Sequence, residues 1–467
     1  MKILWKIVKE HYELFGYILI TVSLFLACFF QFFVWIVFGL VILFALLLRK
    51  ETKLIGLLLF LSSFCALLNY TGMLDYFIAG LLILIIWAQY LLRVLKSEYK
   101  INPKTLIPII LLLIYMCLPF HESNGILLIM KLFFLVLLYV VFEERKSIDF
   151  QYIVRVFIVG IIISCVLGLF RKLSPLLAAA TPYGAGERFL GLTEHPNDLA
   201  VNVAIAIGAM LILKYKNKIS SLEFWIEFVL LFVFGYLSIS RAYVLAVVVG
   251  ITVFAPFYLV QCKTKALKFL GILCVVICII CLVLFNTTQI YIERLFADAA
   301  NETWRPLSKS FAEFFYSQPE EWQQAVWAGD IYFDPGRSSI YYLYLKDWSS
   351  SWQTVWFGRG IARPAIGQMP AHNLFIQELW EQGIIGYIFY AAIILGSINW
   401  QKKKLCRPYL PLLIILMPYL FLTMVESSFF DYPALLIIIG AFAFFKQLTG
   451  ITKKHVENES MSGIQKL

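Results

Sequence analysis

The sequence predicts an all-α polytopic membrane protein with about 12–14 transmembrane helices and one large extracytoplasmic loop. Hydrophobic residues make up 61% of the 467 residues, and the mean hydropathy is +0.83. A soluble globular protein has too little polar material to cover so much apolar surface. Apolar runs of about 17–25 residues, each long enough to cross the hydrocarbon core of a bilayer, recur along most of the chain. Short clusters of basic residues separate these runs.

The apolar runs predict fourteen spans. They lie at roughly 14–30, 32–48, 54–70, 74–92, 105–120, 125–142, 150–170, 197–213, 223–239, 242–260, 267–285, 384–400, 409–425 and 432–446. The first two spans are short and share one uninterrupted apolar run, so a count of twelve or thirteen is an alternative.

The basic clusters predict the orientation in the membrane. If the N-terminus is cytoplasmic, the connections on the cytoplasmic side carry Arg49, Lys50, Lys53, Arg93, Lys96, Lys100, Lys104, Arg145, Lys146, Lys214, Lys216, Lys218, Lys263, Lys265, Lys268, Lys402, Lys403, Lys404 and Arg407. Every short basic connection then falls on one side, as the positive-inside rule requires. We therefore predict that both termini are cytoplasmic. The net charge of +10 is explained by topology, and no nucleic-acid partner is expected.

The cysteines and the N-terminus add little chemistry. The nine cysteines include Cys274, Cys278 and Cys281, which share one face of an apolar helix. We interpret them as small buried hydrophobic side chains and not as metal ligands. Lys2, Lys6 and Lys9 precede a long apolar stretch without a small-residue cleavage site, so no cleavable signal is predicted.

The opposite side carries one large polar loop, 286–371, which is too long for a linker without structure of its own. Six of the 12 tryptophans fall in it, namely Trp304, Trp322, Trp327, Trp348, Trp352 and Trp356. Tryptophans gather at membrane interfaces, and their flat faces also suit the C–H faces of sugar rings. Both interpretations remain open from the sequence.

A second polar stretch on that side is GAGERFLGLTEHPNDLA, residues 184–200. It carries four candidate substrate-binding residues, which are Arg188, Glu194, His195 and Asn197. One interpretation is a solvated connector, with Pro196 in the first helical turn and Asn197 or Asp198 as the cap. The other is a polar cluster at the membrane rim in which Arg188 contacts an anion.

Two further arginines lie on the same predicted side. Arg241 interrupts a pair of apolar runs in LSISRAYVLAVVVG, and Arg337 lies in DPGRSSIYYLYLKDW of the large loop. An arginine at a membrane interface can extend its charge into water at little cost. A guanidinium there is also well suited to bind phosphate oxygens in a bidentate manner.

The stretch AHNLFIQELWEQGIIG, residues 371–386, closes the large loop. His372 and Asn373 are predicted to stand at a helix N-terminus, where backbone N–H groups and the positive dipole end favour an anion. Gly383 and Gly386, three residues apart, permit close helix contact in a membrane.

The spacing of these residues resembles the signature of the O-antigen ligase/polymerase family. His372-Asn373 followed nine residues later by Gly383-x-x-Gly386, the Ser240-Arg241 turn and the large penultimate loop carry the resemblance, which covers roughly residues 180–400. The family implies a GT-C-like glycosyltransferase in the bacterial inner (cytoplasmic) membrane, without a metal ion or other cofactor. It also implies polyprenyl-diphosphate-linked glycans as substrates, with a flippase and a chain-length regulator as candidate partners.

We divide the chain on this basis into N-terminal transmembrane helices (1–170), a ligase/polymerase-like core (171–400) and C-terminal helices with a cytoplasmic tail (401–467). Within the core, Arg241 and Arg337 are expected to bind the diphosphate, with Arg188 as a weaker third group. His372 is expected to activate the acceptor hydroxyl or to bind phosphate. Glu194 and Glu378 are alternative bases, and Asn373 is a candidate substrate ligand.

The expected reaction is polymerisation of lipid-linked repeat units into a capsule, O-antigen or teichuronic-type polysaccharide. Transfer of the finished glycan to a lipid A core or a protein, as a ligase does, is the first alternative. Lysine is commoner than arginine, which indicates an AT-rich genome and favours the polymerase only slightly. A secondary transporter is the second alternative, although the sequence has no internal repeat and its polar residues gather on one side instead of at the midplane.

Overall fold

The computed structural model describes residues 2–48, 50–69, 74–96, 103–116, 148–170, 188–285, 287–290, 341, 344–360, 371, 373–397, 410–423, 433–441 and 443–445. Within these ranges the chain forms helices and no strands. The predicted all-α class is therefore confirmed. The predicted span at 125–142 lies outside the described residues.

The described helices follow the predicted spans closely. In chain order they are α1 (Lys2–Ala27), α2 (Phe32–Leu47), α3 (Glu51–Leu61), α4 (Cys65–Asn69), α5 (Leu74–Leu95), α6 (Pro103–Met116), α7 (Phe150–Gly168), α8 (Pro196–Tyr215), α9 (Ser221–Leu237), α10 (Arg241–Cys262), α11 (Thr264–Val283), α12 (Trp352–Phe357), α13 (Leu374–Ser397), α14 (Leu413–Thr423) and α15 (Pro433–Phe445). The break at residues 28–31 makes α1 and α2 separate helices.

Six helical stretches among the described residues are long and apolar enough to cross a membrane. They are Glu51–Leu68, Phe77–Leu95, Phe150–Gly168, Pro196–Tyr215, Arg241–Cys262 and Thr264–Val283. Shorter apolar helices stand at His11–Ala27, Phe32–Leu47, Leu410–Thr423 and Pro433–Phe445. A soluble protein does not contain so many apolar helices of this length, so the chain is a multi-pass membrane protein.

Helix α8 lies at the centre of the bundle and is buried along nearly its whole length. It packs against α7, α9, α10 and α14. Small residues allow this close packing, since Gly208 faces the backbone of α14 at Ile414. The residues at the N-terminus of α8 are therefore held by a helix that is buried along almost its whole length.

One end of the bundle gathers predicted cytoplasmic connections, and we call it the basic end. The backbone N–H of Asp149 donates to Thr52 Oγ1 at 3.2 Å, and Gln151 Nε2 donates to the carbonyl of Lys218 at 2.8 Å. Arg93 pairs with Glu51 at 2.9 Å. The connections after α2, after α5, before α7 and after α8 therefore meet at one end, as the distribution of basic residues requires.

The other end is the arginine end. The backbone N–H of Ala66 donates to Leu192 O at 3.0 Å, and that of Phe189 donates to Leu237 O at 3.0 Å. Ser164 Oγ accepts the N–H of Leu192 at 3.1 Å. These bonds hold residues 188–195 against α4 and the ends of α7 and α9.

The interpretation of the clustered cysteines as buried side chains is wrong for two of them. Cys274 and Cys278 are exposed on α11, and Cys281 is half-buried. Helix α11 lies at the edge of the bundle, where most of its side chains face the surrounding membrane. The spacing shows that the three cysteines share a face, but only the packing decides which way that face points.

Candidate functional site

Four of the predicted site residues meet at the arginine end. Arg188 Nε donates to the carbonyl of Ser238 at 3.0 Å, and its Nη2 donates to Asn197 Oδ1 at 2.9 Å. Ser238 begins the turn that leads into Arg241, the exposed first residue of α10. We call Arg188, His195, Asn197, Ser238 and Arg241 the arginine cluster. Residues 188–197 and the turn before Arg241 are thus in contact through Arg188.

The sequence before α8 builds an N-cap of unusual composition. The imidazole Nδ1 of His195 accepts the backbone N–H of Asn197 at 3.2 Å, and the carboxylate of Asp198 accepts the N–H of His195 at 3.0 Å. The cap is therefore His195, and the prediction of Asn197 or Asp198 as the cap is wrong. Because the imidazole caps the helix, the side chain of Asn197 is left to accept from Arg188. Pro196 occupies the first turn as predicted.

The electrostatics of this end favour an anion. Helices α8 and α10 both begin here, and each N-terminus carries the partial positive charge of its helix dipole. The two guanidinium groups add two full positive charges. Glu194, which is exposed just before α8, and Asp198 in its first turn offset part of that charge.

Asn373 caps α13 as predicted, because its Oδ1 accepts the N–H of Ile376 at 3.2 Å. The helix then breaks at Gly383, whose backbone has φ 62° and ψ −169°. Tyr387, after the break, donates its hydroxyl to the carbonyl of Phe375, twelve residues earlier. A straight helix would separate these two residues by about 18 Å, farther than a tyrosine reaches. The two halves of α13 are therefore folded back on each other.

The break frees carbonyl groups that the rest of the protein satisfies. The backbone N–H of Arg359 donates to Trp380 O at 2.8 Å, and that of Gly360 donates to Glu381 O at 2.9 Å. Tyr115 on α6 donates its hydroxyl toward Gln382 O at 2.6 Å and Phe357 O at 2.9 Å. A helix end inside a membrane protein needs such partners, since no water replaces them.

An ion pair fixes the end of the large loop to α13. Arg359 Nη2 contacts Asp347 Oδ1 at 2.6 Å, and its Nε donates to Oδ2 at 3.0 Å. Trp380 Nε1 on α13 donates to the same Oδ2 at 2.8 Å. We call residues 344–360 the loop strap. The bidentate pair is the strong geometry for a guanidinium and a carboxylate.

Two buried amide–carboxylate pairs line the first half of α13. Gln377 Nε2 donates to Glu381 Oε1 at 2.6 Å, and Gln382 Nε2 donates to Glu378 Oε2 at 2.6 Å. Gln377 Oε1 accepts the N–H of Ala371 at 3.0 Å. Glu378, a candidate base, is thus buried at 4% exposure and hydrogen-bonded in this conformation.

The predicted topology puts Asn373 and α13 at the arginine end as well, and the direction of α6 agrees with it. Helix α5 ends at the basic end, where Arg93 pairs with Glu51. Only residues 97–102 separate the described end of α5 from α6, too few to cross about 30 Å of hydrocarbon. Helix α6 therefore starts at the basic end and rises about 18 Å toward the opposite end before Tyr115.

Two predicted residues, His372 and Arg337, lie outside the described residues. Three structural contributors were not predicted, namely Tyr115, Arg359 and Gln377. Tyr115 lies inside an apolar run and has no signal in the sequence. Arg359 does have a signal in the sequence, since an arginine between Gly358 and Gly360 indicates a tight turn that exposes or pairs its charge. Among the described residues, no group of three or more histidine, cysteine or acidic side chains could hold a metal ion.

Comparison with known proteins identifies part of this region. Residues 226–391 match the family model described as O-antigen ligase. No curated protein and no solved structure matches the chain. The match runs from α9 through Arg241 to α13 and includes His372, Asn373, Gly383 and Gly386. It confirms the resemblance to the O-antigen ligase/polymerase family and supports membrane glycosyl transfer as the class of function.

Proposed function

We propose that this protein polymerises polyprenyl-diphosphate-linked oligosaccharide repeat units on the extracytoplasmic side of the bacterial inner membrane. The observation that carries the proposal is the arginine cluster, in which Arg188 and Arg241 stand beside the N-termini of α8 and α10. This surface lies at the end of the bundle opposite the basic connections. A diphosphate attached to a membrane lipid would meet positive charge there.

The chemistry is displacement at the anomeric carbon of the donor sugar. The acceptor hydroxyl oxygen forms a bond to that carbon, and the bond from the carbon to the diphosphate oxygen breaks. Polyprenyl diphosphate leaves with the bonding electron pair. Arg241, with Arg188 and Arg337, would neutralise the charge that develops on the leaving group, which is the largest expected contribution to catalysis.

His372 would accept the proton of the acceptor hydroxyl, since imidazole titrates near neutral pH. Asn373 caps α13, and His372 is its neighbour in the sequence. The backbone N–H groups of the first turn then favour a neighbouring phosphate, which supports phosphate binding as the other role for His372.

A ligase is the second candidate, and one observation favours it: the matching family model is described as O-antigen ligase. Both reactions use the same donor and the same displacement. They differ in the acceptor, which is a second lipid-linked repeat unit for the polymerase and a lipid A core or a protein for the ligase.

The test uses the full-length protein in liposomes with polyprenyl-diphosphate-linked repeat units, followed by gel analysis of glycan length. Arg241→Ala is expected to lower polymer formation by about 100-fold, because one fixed charge at a developing anion has that order of effect. Arg241→Lys keeps the charge but loses the bidentate geometry, so an intermediate rate is expected. Arg155→Ala, which removes an arginine paired with Glu223 near the basic end, is the control.

Wild-type polymer length in both Arg241→Ala and His372→Ala would refute the site assignment. Polymer that forms only after a lipid A core acceptor is added would reassign the protein as a ligase. Movement of a solute without consumption of lipid-linked repeat units would instead support a transporter.

A further inference from the structure

Trp352 and Trp356 of the loop strap expose their rings, whereas the neighbouring Trp348 and Trp380 bond to the protein through their indole N–H groups. Trp348 Nε1 donates to Val355 O at 3.3 Å, and Trp380 Nε1 donates to Asp347. Trp352 and Trp356 stand one turn apart on α12 and are 67% and 46% exposed. Within the part of the chain that the structure describes, neither indole N–H of this exposed pair has a hydrogen-bond partner. The two inward rings are tied to the fold through their N–H groups, whereas the outward Trp352 contacts the ring of Phe357 at 6.4 Å and keeps most of its surface exposed.

The loop strap holds α12 firmly in place. Ser351 and Thr354 form a reciprocal cap at the start of the helix, and Thr354 Oγ1 also donates to Trp348 O. The Asp347–Arg359 ion pair closes the other side of the strap. A rigid pair of aromatic rings loses little conformational entropy when a ligand binds.

We propose that Trp352 and Trp356 form a binding subsite for the glycan part of the lipid-linked substrate. The inference rests on the proposed function and adds the place where the sugar chain lies. An indole face matches the C–H face of a pyranose ring, and its N–H is a donor for a sugar hydroxyl. The strap is hydrogen-bonded to α13, the helix that Asn373 caps, so a glycan on these rings would extend from the reaction centre.

The groups beside the two rings favour a sugar over a bilayer surface. Lys346, Ser349 and Gln353, close to the two rings in sequence, are exposed and carry amine, hydroxyl and amide groups, beside one exposed apolar side chain, Leu345. Sugar hydroxyls need such partners, whereas a segment that anchors in the acyl chains would continue with apolar side chains.

The experiment measures binding without transfer. The full-length protein in nanodiscs is titrated with the lipid-free oligosaccharide released by mild acid from the host's own lipid-linked repeat units. The variant W352A/W356A is expected to bind about tenfold or more weakly, the sum of two stacking contacts. W352F/W356F keeps the aromatic faces and is expected to stay within a few-fold of wild type. Trp35→Ala, which removes a 52% exposed tryptophan from α2, is the control and is expected to change nothing.

Equal binding by W352A/W356A and the wild type would overturn the proposal. A second outcome that would overturn it is loss of quenching by brominated lipids in W352A/W356A, because it would place both rings in the bilayer interface. Both outcomes are independent of the transfer assay. If Arg241→Ala keeps full transfer while W352A/W356A loses oligosaccharide binding, the proposed phosphate site fails and the glycan subsite stands.

Discussion

The hydroxyl group of Tyr115 joins three separate parts of the chain. It sits near the end of α6 and contacts the carbonyl of Phe357 in the loop strap and that of Gln382 before the break in α13. Its ring also packs against Phe389, with ring centroids 5.6 Å apart. One phenol thus ties a helix from the first quarter of the sequence to the segment that carries Asn373.

Removal of this hydroxyl tests its importance. Tyr115→Phe is expected to cost about 1–3 kcal/mol of stability, because a buried carbonyl loses its donor. We expect kcat for glycan transfer to fall more than KM rises, since the orientation of α13 changes while the arginine cluster is untouched. Thermal unfolding and transfer kinetics measure the two effects.

Tyr17→Phe is the matched control, because it removes a half-buried hydroxyl that bonds to Tyr152 far from the candidate site. If both variants lose similar stability and kcat is unchanged in Tyr115→Phe, Tyr115 has a purely structural role.

At the scale of the element, the broken helix α13 depends on one backbone conformation. Gly383 has φ 62° and ψ −169°, a region that residues with a side chain scarcely adopt. A Cβ atom at this position would also clash with the carbonyl oxygen of Trp356. Gly358, in the loop strap just after α12, has φ 74°, and a Cβ atom there would meet the carbonyl of Glu381 just as closely. Two glycines therefore permit the contact between the strap and the helix.

Gly383→Ala is expected to destabilise the protein by at least about 1–3 kcal/mol, the cost of the strained backbone alone. Glycan transfer should fall with it, because the straightened helix would move Asn373 and the strap. Gly271→Ala on α11 is the control, since a Cβ there meets nothing within 4 Å and a helical alanine is slightly favoured. Thermal unfolding of the two variants side by side makes the measurement. Equal stability of Gly383→Ala and the wild type would contradict the observed break.

At the scale of the whole molecule, the fold puts two groups of basic side chains at opposite ends of the bundle. Ion pairs such as Arg93–Glu51 and the lysine-rich connections lie at the basic end, whereas Arg188 and Arg241 lie at the other. The bonds from Ala66 to Leu192 and from Asp149 to Thr52 fix which connections share an end. The positive-inside rule then predicts which compartment each end faces.

Cysteine labelling in a variant without native cysteines tests this prediction. Glu194→Cys and Ser349→Cys are expected to react with a membrane-impermeant reagent in intact cells, because both positions are exposed and the predicted topology puts both at the arginine end. Asn217→Cys and Lys265→Cys, exposed at the basic end, should react only after permeabilisation. If positions 194 and 349 label in different compartments, the two halves of the candidate site do not share a side.

Hydrophobic length predicts most of the helices, because a span must bury its backbone and can do so only over about 20 apolar residues. The predicted spans 150–170, 197–213 and 242–260 correspond to α7, α8 and α10 within a few residues. The predicted topology put Arg188 and the Ser240-Arg241 turn on the same side of the membrane, whereas the bond from Arg188 to Ser238 is a tertiary contact.

The parts that sequence could not predict depend on tertiary contact. We placed a span at 384–400, but α13 begins at Leu374, since the polar residues of its first half pair with one another instead of facing lipid. The break at Gly383 requires the approach of Trp356, which lies 27 residues earlier and leaves no local pattern. His195 as a cap required the imidazole to point back at its own helix.

The hydroxyl bridge of Tyr115 has a consequence for the construction of hybrids between relatives. Residue 115 lies outside the segment 226–391 that matches the family model, yet its oxygen serves two carbonyl groups inside that segment. A graft cut at the borders of the match would carry those carbonyls into a foreign scaffold without their donor. A hybrid designed to exchange substrate preference between two such proteins should therefore include α6 together with the segment 226–391.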